Sequence, residues 1–220
     1  MVRIKICCMA SIEEARMAIE AGASAVGLVG KMPSGPGPIP DALIAAIARS
    51  VPPPISTFLL TSEQTTEGIA SHYLRVRTST IQIVDAVSDD TLKELRRRLP
   101  GVKLVPVVHV TGKESLEEAL RLAPHADALL LDSGRPNLAV KELGGTGRTH
   151  DWRLSRRIRD SISCPVFLAG GLGPGNVAEA IRAVHPFAVD VCSGVRTNGA
   201  LDAGKLRAFC HAVAKGYSPH

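Results

Sequence analysis

Val166-Phe167-Leu168-Ala169-Gly170-Gly171 and, one helical stretch later, Ala188-Val189-Asp190-Val191-Cys192-Ser193-Gly194 are two apolar, β-branched runs that each finish in glycine. Between them Asn176 to Val184 repeats its apolar residues with the period of an amphipathic helix. Strand, helix and strand at this spacing form a βα unit of a parallel sheet. A glycine at the carboxyl end of a parallel strand lets backbone N–H groups approach an anion closely. In eight-stranded α/β barrels the loops after strands 7 and 8 commonly hold phosphate. The segment therefore points to an architecture and a ligand class together.

The same alternation extends towards the N-terminus. Strands are expected at Val2 to Cys8, Ala25 to Val29, Ser56 to Leu60, Thr80 to Val84, Lys103 to His109, Ala128 to Asp132, Val166 to Ala169 and Ala188 to Cys192. Helices are expected at Ile12 to Ala21, Asp41 to Arg49, Gln64 to Leu74, Asp89 to Leu99, Leu116 to Leu122, Trp152 to Ser161, Asn176 to Val184 and Lys205 to Ala214. Ser11 with Glu14 reads as a capping box, and Ser88 or Asp89 and Asp151 read as helix starts. Eight βα units with right-handed crossovers predict an α/β fold, a single (β/α)8 TIM barrel over residues 1–220, with an open doubly wound sheet as the alternative. Two connections exceed simple turns, the Gly- and Pro-dense 30–40 segment after strand 2 and the 133–150 segment after strand 6. Long βα loops are where such barrels place function.

Composition narrows the ligand. A net charge of +5 suits an anion, while aromatic residues at 3% are too few for a base-stacking surface, which argues against nucleic acid. The five cysteines include no C-x-x-C pair, and His72, His125 and His185 have no ligand spacing. Neither a disulfide framework nor a metal site is therefore expected, and no cofactor is called for. No apolar run is long enough to span a bilayer and no signal-peptide pattern opens the chain, so a soluble cytoplasmic protein with no membrane partner, monomer or homodimer, is expected.

Alternation along strand 1 sets Lys5 and Cys7 on one face, with Cys7 at the carboxyl end. Asp132 closes the apolar run Ala128-Leu129-Leu130-Leu131, where desolvation should raise its pKa. A thiol that can act as a base, a carboxylic acid held partly protonated and two glycine-lined loops at one barrel rim suit proton transfer on a sugar phosphate. Gly144-Gly145-Thr146-Gly147-Arg148-Thr149-His150-Asp151-Trp152 lacks the spacing and the lysine of a P-loop and fits a mobile lid over phosphate better. Cys164, Cys192 and Cys210 read as packing residues, and the arginine clusters at 96–98 and 156–159 as solvated helix faces.

These residues resemble the phosphoribosylanthranilate isomerases of tryptophan biosynthesis over nearly the whole chain. Lys5-Ile6-Cys7, Leu130-Leu131-Asp132-Ser133, Gly144-Gly145-Thr146-Gly147 with Asp151-Trp152, Leu168-Ala169-Gly170-Gly171-Leu172 with Asn176-Val177, and Val189-Asp190-Val191 with Ser193-Gly194-Val195 are similar to the family's motifs. The resemblance implies a metal-free Amadori rearrangement of N-(5-phosphoribosyl)anthranilate, an aldose–ketose isomerisation. It casts Asp132 as the acid that opens the furanose ring and Cys7 as the thiolate that takes a proton from the adjacent carbon, with Lys5 as helper. It also implies phosphate contacts from Gly145, Gly170, Gly171, Ser193 and Gly194, and a substrate lining that includes Lys5, Gln82, Asp85, His109 and Thr146.

The chain departs from the family at positions that should read the aromatic acid. Where relatives carry Ser-Pro-Arg after strand 2, with the arginine on the anthranilate carboxylate, this chain has Pro33-Ser34-Gly35-Pro36-Gly37-Pro38. Losing that charge-assisted interaction costs roughly 1.5 to 3 kcal/mol, and Lys31 is the nearby substitute. Gln-Leu-His-Gly has become Gln82-Ile83-Val84-Asp85, which sets a repelling carboxylate near the mouth; His109 replaces an arginine, and Cys8 a glycine. The alternatives are a paralogous isomerase of another phosphorylated sugar amine and a noncatalytic phosphometabolite-binding barrel.

Overall fold

A computed structural model of the chain describes residues 1–134, 141, 143, 147 and 149–216. Eight parallel strands, β1 (Arg3–Ile6), β2 (Ala25–Val29), β3 (Ser56–Thr61), β4 (Thr80–Ile83), β5 (Lys103–His109), β6 (Leu129–Asp132), β7 (Val166–Leu168) and β8 (Ala188–Val191), form a closed barrel in sequence order. The helices α1 (Ile12–Glu20), α2 (Asp41–Ser50), α3 (Thr66–Val76), α4 (Asp89–Arg98), α5 (Glu114–Leu122), α6 (Trp152–Ser161), α7 (Val177–Val184) and α8 (Ala203–Gly216) follow the strands in turn. Closure rests on β1 pairing with β8, Lys5 opposite Asp190 and Ile6 opposite Val191, which excludes the open sheet. Among the described residues no helix is long and apolar enough to cross a membrane.

The period of two along each strand divides the core into two layers. Ile4, Ile6, Val26, Leu28, Leu59, Ile81, Leu131 and Val189 point outward under the helices. Fully burying an aliphatic side chain stabilises by roughly 1.5–3 kcal/mol. Ala25, Phe58, Val105, Val107, Leu130, Phe167 and Ala188 fill the interior of the barrel. The same parity turns Lys5, Cys7, Gln82, His109, Asp132 and Asp190 inward, so polar residues from five strands converge on one axis.

Local chemistry explains where the observed ends differ from the expected ones. β1 stops at Ile6, because Cys8 turns to φ 64, although the Cys7 N–H still bonds to the Val191 carbonyl at 2.8 Å. α3 begins at Thr66, since Thr65 Oγ1 accepts from the Gly68 N–H at 3.1 Å. Ser11 caps α1 through the Glu14 N–H at 3.2 Å, but the Glu14 carboxylate reaches past it to the Ala10 N–H at 2.9 Å and the Leu201 N–H at 2.9 Å. A short hairpin, β9 (Arg196–Thr197) and β10 (Ala200–Leu201), was not apparent from the sequence pattern. Arg196 ties that hairpin to the loop after β1 by donating to Glu14 Oε2 at 2.7 Å and to the Cys8 carbonyl.

Candidate active site

The carboxyl ends of the strands surround a cavity lined by Cys7, Gln82, Asp132, Asp190, the glycines at 170 and 171, and Ser193. Cys7 is buried, and its pKa is lowered by a hydrogen bond from Cys8 and by the Lys5 ammonium, against the opposing effect of burial. Asp132 is shifted the other way. Burial pushes its carboxyl above the usual range, opposed by the Ser133 N–H, which donates to Asp132 Oδ1 at 2.7 Å, and by His109, its neighbour across the β5–β6 register. The expected rise for Asp132 is thus present, and for Cys7 the larger influence is Cys8, with Lys5 second among the groups that lower it.

Lys5 lies beneath the cavity rather than along its wall. Its Nζ is fully buried, donates to Asp190 Oδ2 at 2.8 Å and sits 5.3 Å from the centroid of the Phe58 ring. Burial opposes the charge on Lys5, and the Asp190 carboxylate overrides it and holds the ammonium above its ordinary range. Asp190 Oδ1 is buried with no hydrogen-bond partner among the described residues, and so is Gln82 Oε1, which leaves two acceptors at the cavity. In the sequence Asp190 stands out only as part of a phosphate-loop motif. The sign that marks it is a carboxylate in an otherwise apolar strand that faces a lysine two strand positions before Cys7.

The loops after β7 and β8 pack directly on one another. A Cβ on Gly194 would lie 2.0 Å from the Leu172 carbonyl oxygen, so only glycine allows this approach. Gly170 and Gly171 take φ 83 and φ 61, and Asn176 fixes their turn by accepting from the Gly173 N–H at 2.8 Å and donating to the Gly171 carbonyl at 2.9 Å. Gly171, Gly173, Ser193, Gly194 and Gly147 surround a concavity at the amino end of α7, a placement suited to an anion. Gly145 and Thr146 lie outside the described residues.

Asp85 and His109 stand at the rim but do not line the cavity. Asp85 is buried, accepts from the Lys141 ammonium at 2.6 Å and from the Ala86 N–H at 2.8 Å, so the expected repelling charge is neutralised in place. His109 Nε2 meets the Val84 carbonyl at 3.0 Å. Lys31, the suggested substitute for the family's arginine, is exposed and is not among the residues that line the cavity, although its neighbour Met32 is. Among the described lining residues there is no lysine or arginine, and the wall towards the loop after β2 consists of Met32, Ser34, Gly35 and Pro36. Cys192, expected to serve as packing, lines the cavity instead, next to Cys8.

Comparison with known proteins agrees with this geometry. The profile of the family described as N-(5'phosphoribosyl)anthranilate (PRA) isomerase matches residues 4–212. The chain belongs to the PRA isomerase family. It is 37% identical over 195 residues to the N-(5'-phosphoribosyl)anthranilate isomerase of Methanocella arvoryzae, with 89% of each chain covered. The crystal structure of the phosphoribosyl anthranilate isomerase of Thermotoga maritima superimposes with a TM-score of 0.84 at 30% identity, covering 97% of this chain and 99% of that one. A PRA isomerase solved in complex with reduced 1-(o-carboxyphenylamino)-1-deoxyribulose 5-phosphate superimposes with a TM-score of 0.81 at 28% identity and the same coverage. The protein is thus an isomerase of the PRA isomerase family, built on the family's barrel.

Proposed function

We propose that this chain converts N-(5'-phosphoribosyl)anthranilate to 1-(o-carboxyphenylamino)-1-deoxyribulose 5-phosphate, with Asp132 as acid and Cys7 as base and without a metal. The observation that carries the assignment is the pair itself: a thiol held low and a carboxyl held high, in one cavity beside a glycine-lined anion cradle. The cradle takes the 5'-phosphate. Asp132 then delivers its proton to the furanose ring oxygen as the C1–O bond breaks and the nitrogen lone pair forms the C1=N bond. The Cys7 thiolate removes the C2 proton, the electrons of that C–H bond become the C1=C2 bond, and the iminium charge is quenched. The resulting enolamine takes a proton at C1 and loses its O–H proton to give the ketone. Asp190 Oδ1, buried at the cavity and without a hydrogen-bond partner among the described residues, accepts a hydrogen bond from the substrate's hydroxyl or N–H.

Rescue of a tryptophan auxotroph lacking this isomerase tests the assignment, with Cys7→Ala and Asp132→Asn as controls. Loss of either group should lower kcat by about 10²- to 10⁴-fold. Failure of soluble wild-type protein to rescue growth would remove the reading. One observation favours a second substrate, another phosphorylated sugar amine: no cationic side chain among the described lining residues meets an aromatic carboxylate. Turnover of an N-phosphoribosyl amine in preference to the anthranilate compound would decide for it.

A further inference from the structure

Two thiols at the mouth of the cavity have no part in the proton transfers. Cys8, next to the proposed base, holds φ 64, a left-handed backbone that costs an ordinary L-residue roughly 1–2 kcal/mol. Room for its side chain comes from the loop after β2, where a Cβ on Gly37 would lie 2.7 Å from Cys8 Cβ and 2.9 Å from its Sγ. From the opposite side Cys192, the residue after β8, brings its sulfur to 2.6 Å from that of Cys8 across the β1–β8 seam. Both thiols line the cavity, Cys8 buried and Cys192 partly exposed. Among the described residues no group of three or more His, Cys, Asp or Glu side chains is arranged to hold a metal ion.

We propose that Cys8 and Cys192 form a thiol–disulfide exchange site, oxidised by a low-molecular-weight disulfide and restored by a thiol. Cys192, the more exposed of the two, attacks one sulfur of the small disulfide and expels the first thiol. Cys8 then attacks the mixed disulfide at the Cys192 sulfur and expels the second. Two S–H bonds are lost from the protein, one S–S bond forms, and both electrons and both protons leave on the two small thiols. A bond between them would join the end of β1 to the start of the Ser193–Gly194 loop. It would also take the proton from the Cys8 thiol, the largest influence lowering Cys7. This consequence for catalysis rests on the acid–base reading above: a higher Cys7 pKa lowers the thiolate fraction and with it the rate at neutral pH.

The test uses the full chain equilibrated in mixtures of oxidised and reduced glutathione, quenched, alkylated and digested with trypsin. Cleavage leaves Cys7 and Cys8 on peptide 6–16 and Cys192 on peptide 183–196. A linked pair of these peptides, about 2 Da lighter than their sum and separated by dithiothreitol, is the expected product. It should be missing from Cys192→Ser and from Cys8→Gly, whose glycine suits φ 64. Persistence of the link in Cys8→Gly assigns it to Cys7 and overturns the pair. Absence of any link at every ratio, with all five thiols still open to alkylation, overturns the site. Activity is read as the oxidised-to-reduced ratio within each variant, expected to fall with the link in the wild type and to stay level in both variants. A linked protein as active as its reduced form refutes the effect on the base. A link that forms in protein with no isomerase activity when reduced supports the exchange site and counts against the proposed function alone.

Discussion

Replacing Lys5 by methionine tests the part of the barrel where stability and chemistry share one ion pair. Methionine fills a similar volume but leaves the Asp190 carboxylate, buried at 7% exposure, without the ammonium 2.8 Å away. Breaking a buried pair by removing one partner costs about 3–5 kcal/mol. For a domain of this size each kcal/mol lowers Tm by roughly 2–4 °C, so a fall of about 6–20 °C is expected. Urea unfolding at pH 7 measures the change directly, and the double variant Lys5→Met with Asp190→Leu completes the cycle. Removing both charges should recover most of the loss, because the penalty comes from the stranded carboxylate rather than from the missing attraction. Lys5 also helps lower Cys7, so in Lys5→Met the ascending limb of kcat/KM should move to higher pH. A single variant within about 1 kcal/mol of the wild type, or a double variant no more stable than the single one, refutes the reasoning.

Gly194→Ala would drive a methyl into the Leu172 carbonyl, 2.0 Å from the ideal Cβ, and must part the two loops that form the anion cradle; KM should rise at least about tenfold, a loss of 1.4 kcal/mol or more, and an unchanged KM places the phosphate elsewhere. Burial holds the His150 pKa down to about 4, so the folded protein refuses a proton that the unfolded chain accepts near its ordinary value. The associated stability is whole above about pH 6.5 and is lost as pH falls towards 4, by at most about 3 kcal/mol. His150→Gln should flatten that part of the curve of unfolding free energy against pH, and an unaltered slope there assigns it to other groups. Finally, with Ser34 the one polar side chain among the described lining residues after β2, a substrate analogue lacking the aromatic carboxylate should lose less than about tenfold in kcat/KM; a loss of several hundredfold would require a cation that reaches the carboxylate.

Strand positions were legible because period-two burial in a parallel sheet leaves apolar runs with few helix-period competitors. β2, β5 and α6 fall at the expected residues, and the other boundaries differ where caps or turns intervene, as at Cys8 and Thr65. Cys7 and Asp132 were legible for a related reason, as polar residues at the carboxyl ends of apolar strands. The roles of Asp190, Cys192 and Lys141 were not, since each depends on a partner far along the chain: Lys5, Cys8 and Asp85.

The amino-acid sequence by itself determined the βα repeat, the inward parity of the polar residues and the glycine-ended strands, all local consequences of side-chain alternation and backbone freedom. Only the tertiary structure decided the rest. Closing β1 onto β8 set the Lys5 ammonium against Asp190 and the Cys8 sulfur against Cys192, and seated the Gly194 loop on Leu172. Such contacts join residues more than twenty, and mostly more than 180, positions apart, and no local pattern specifies a neighbour that exists only once the barrel has closed.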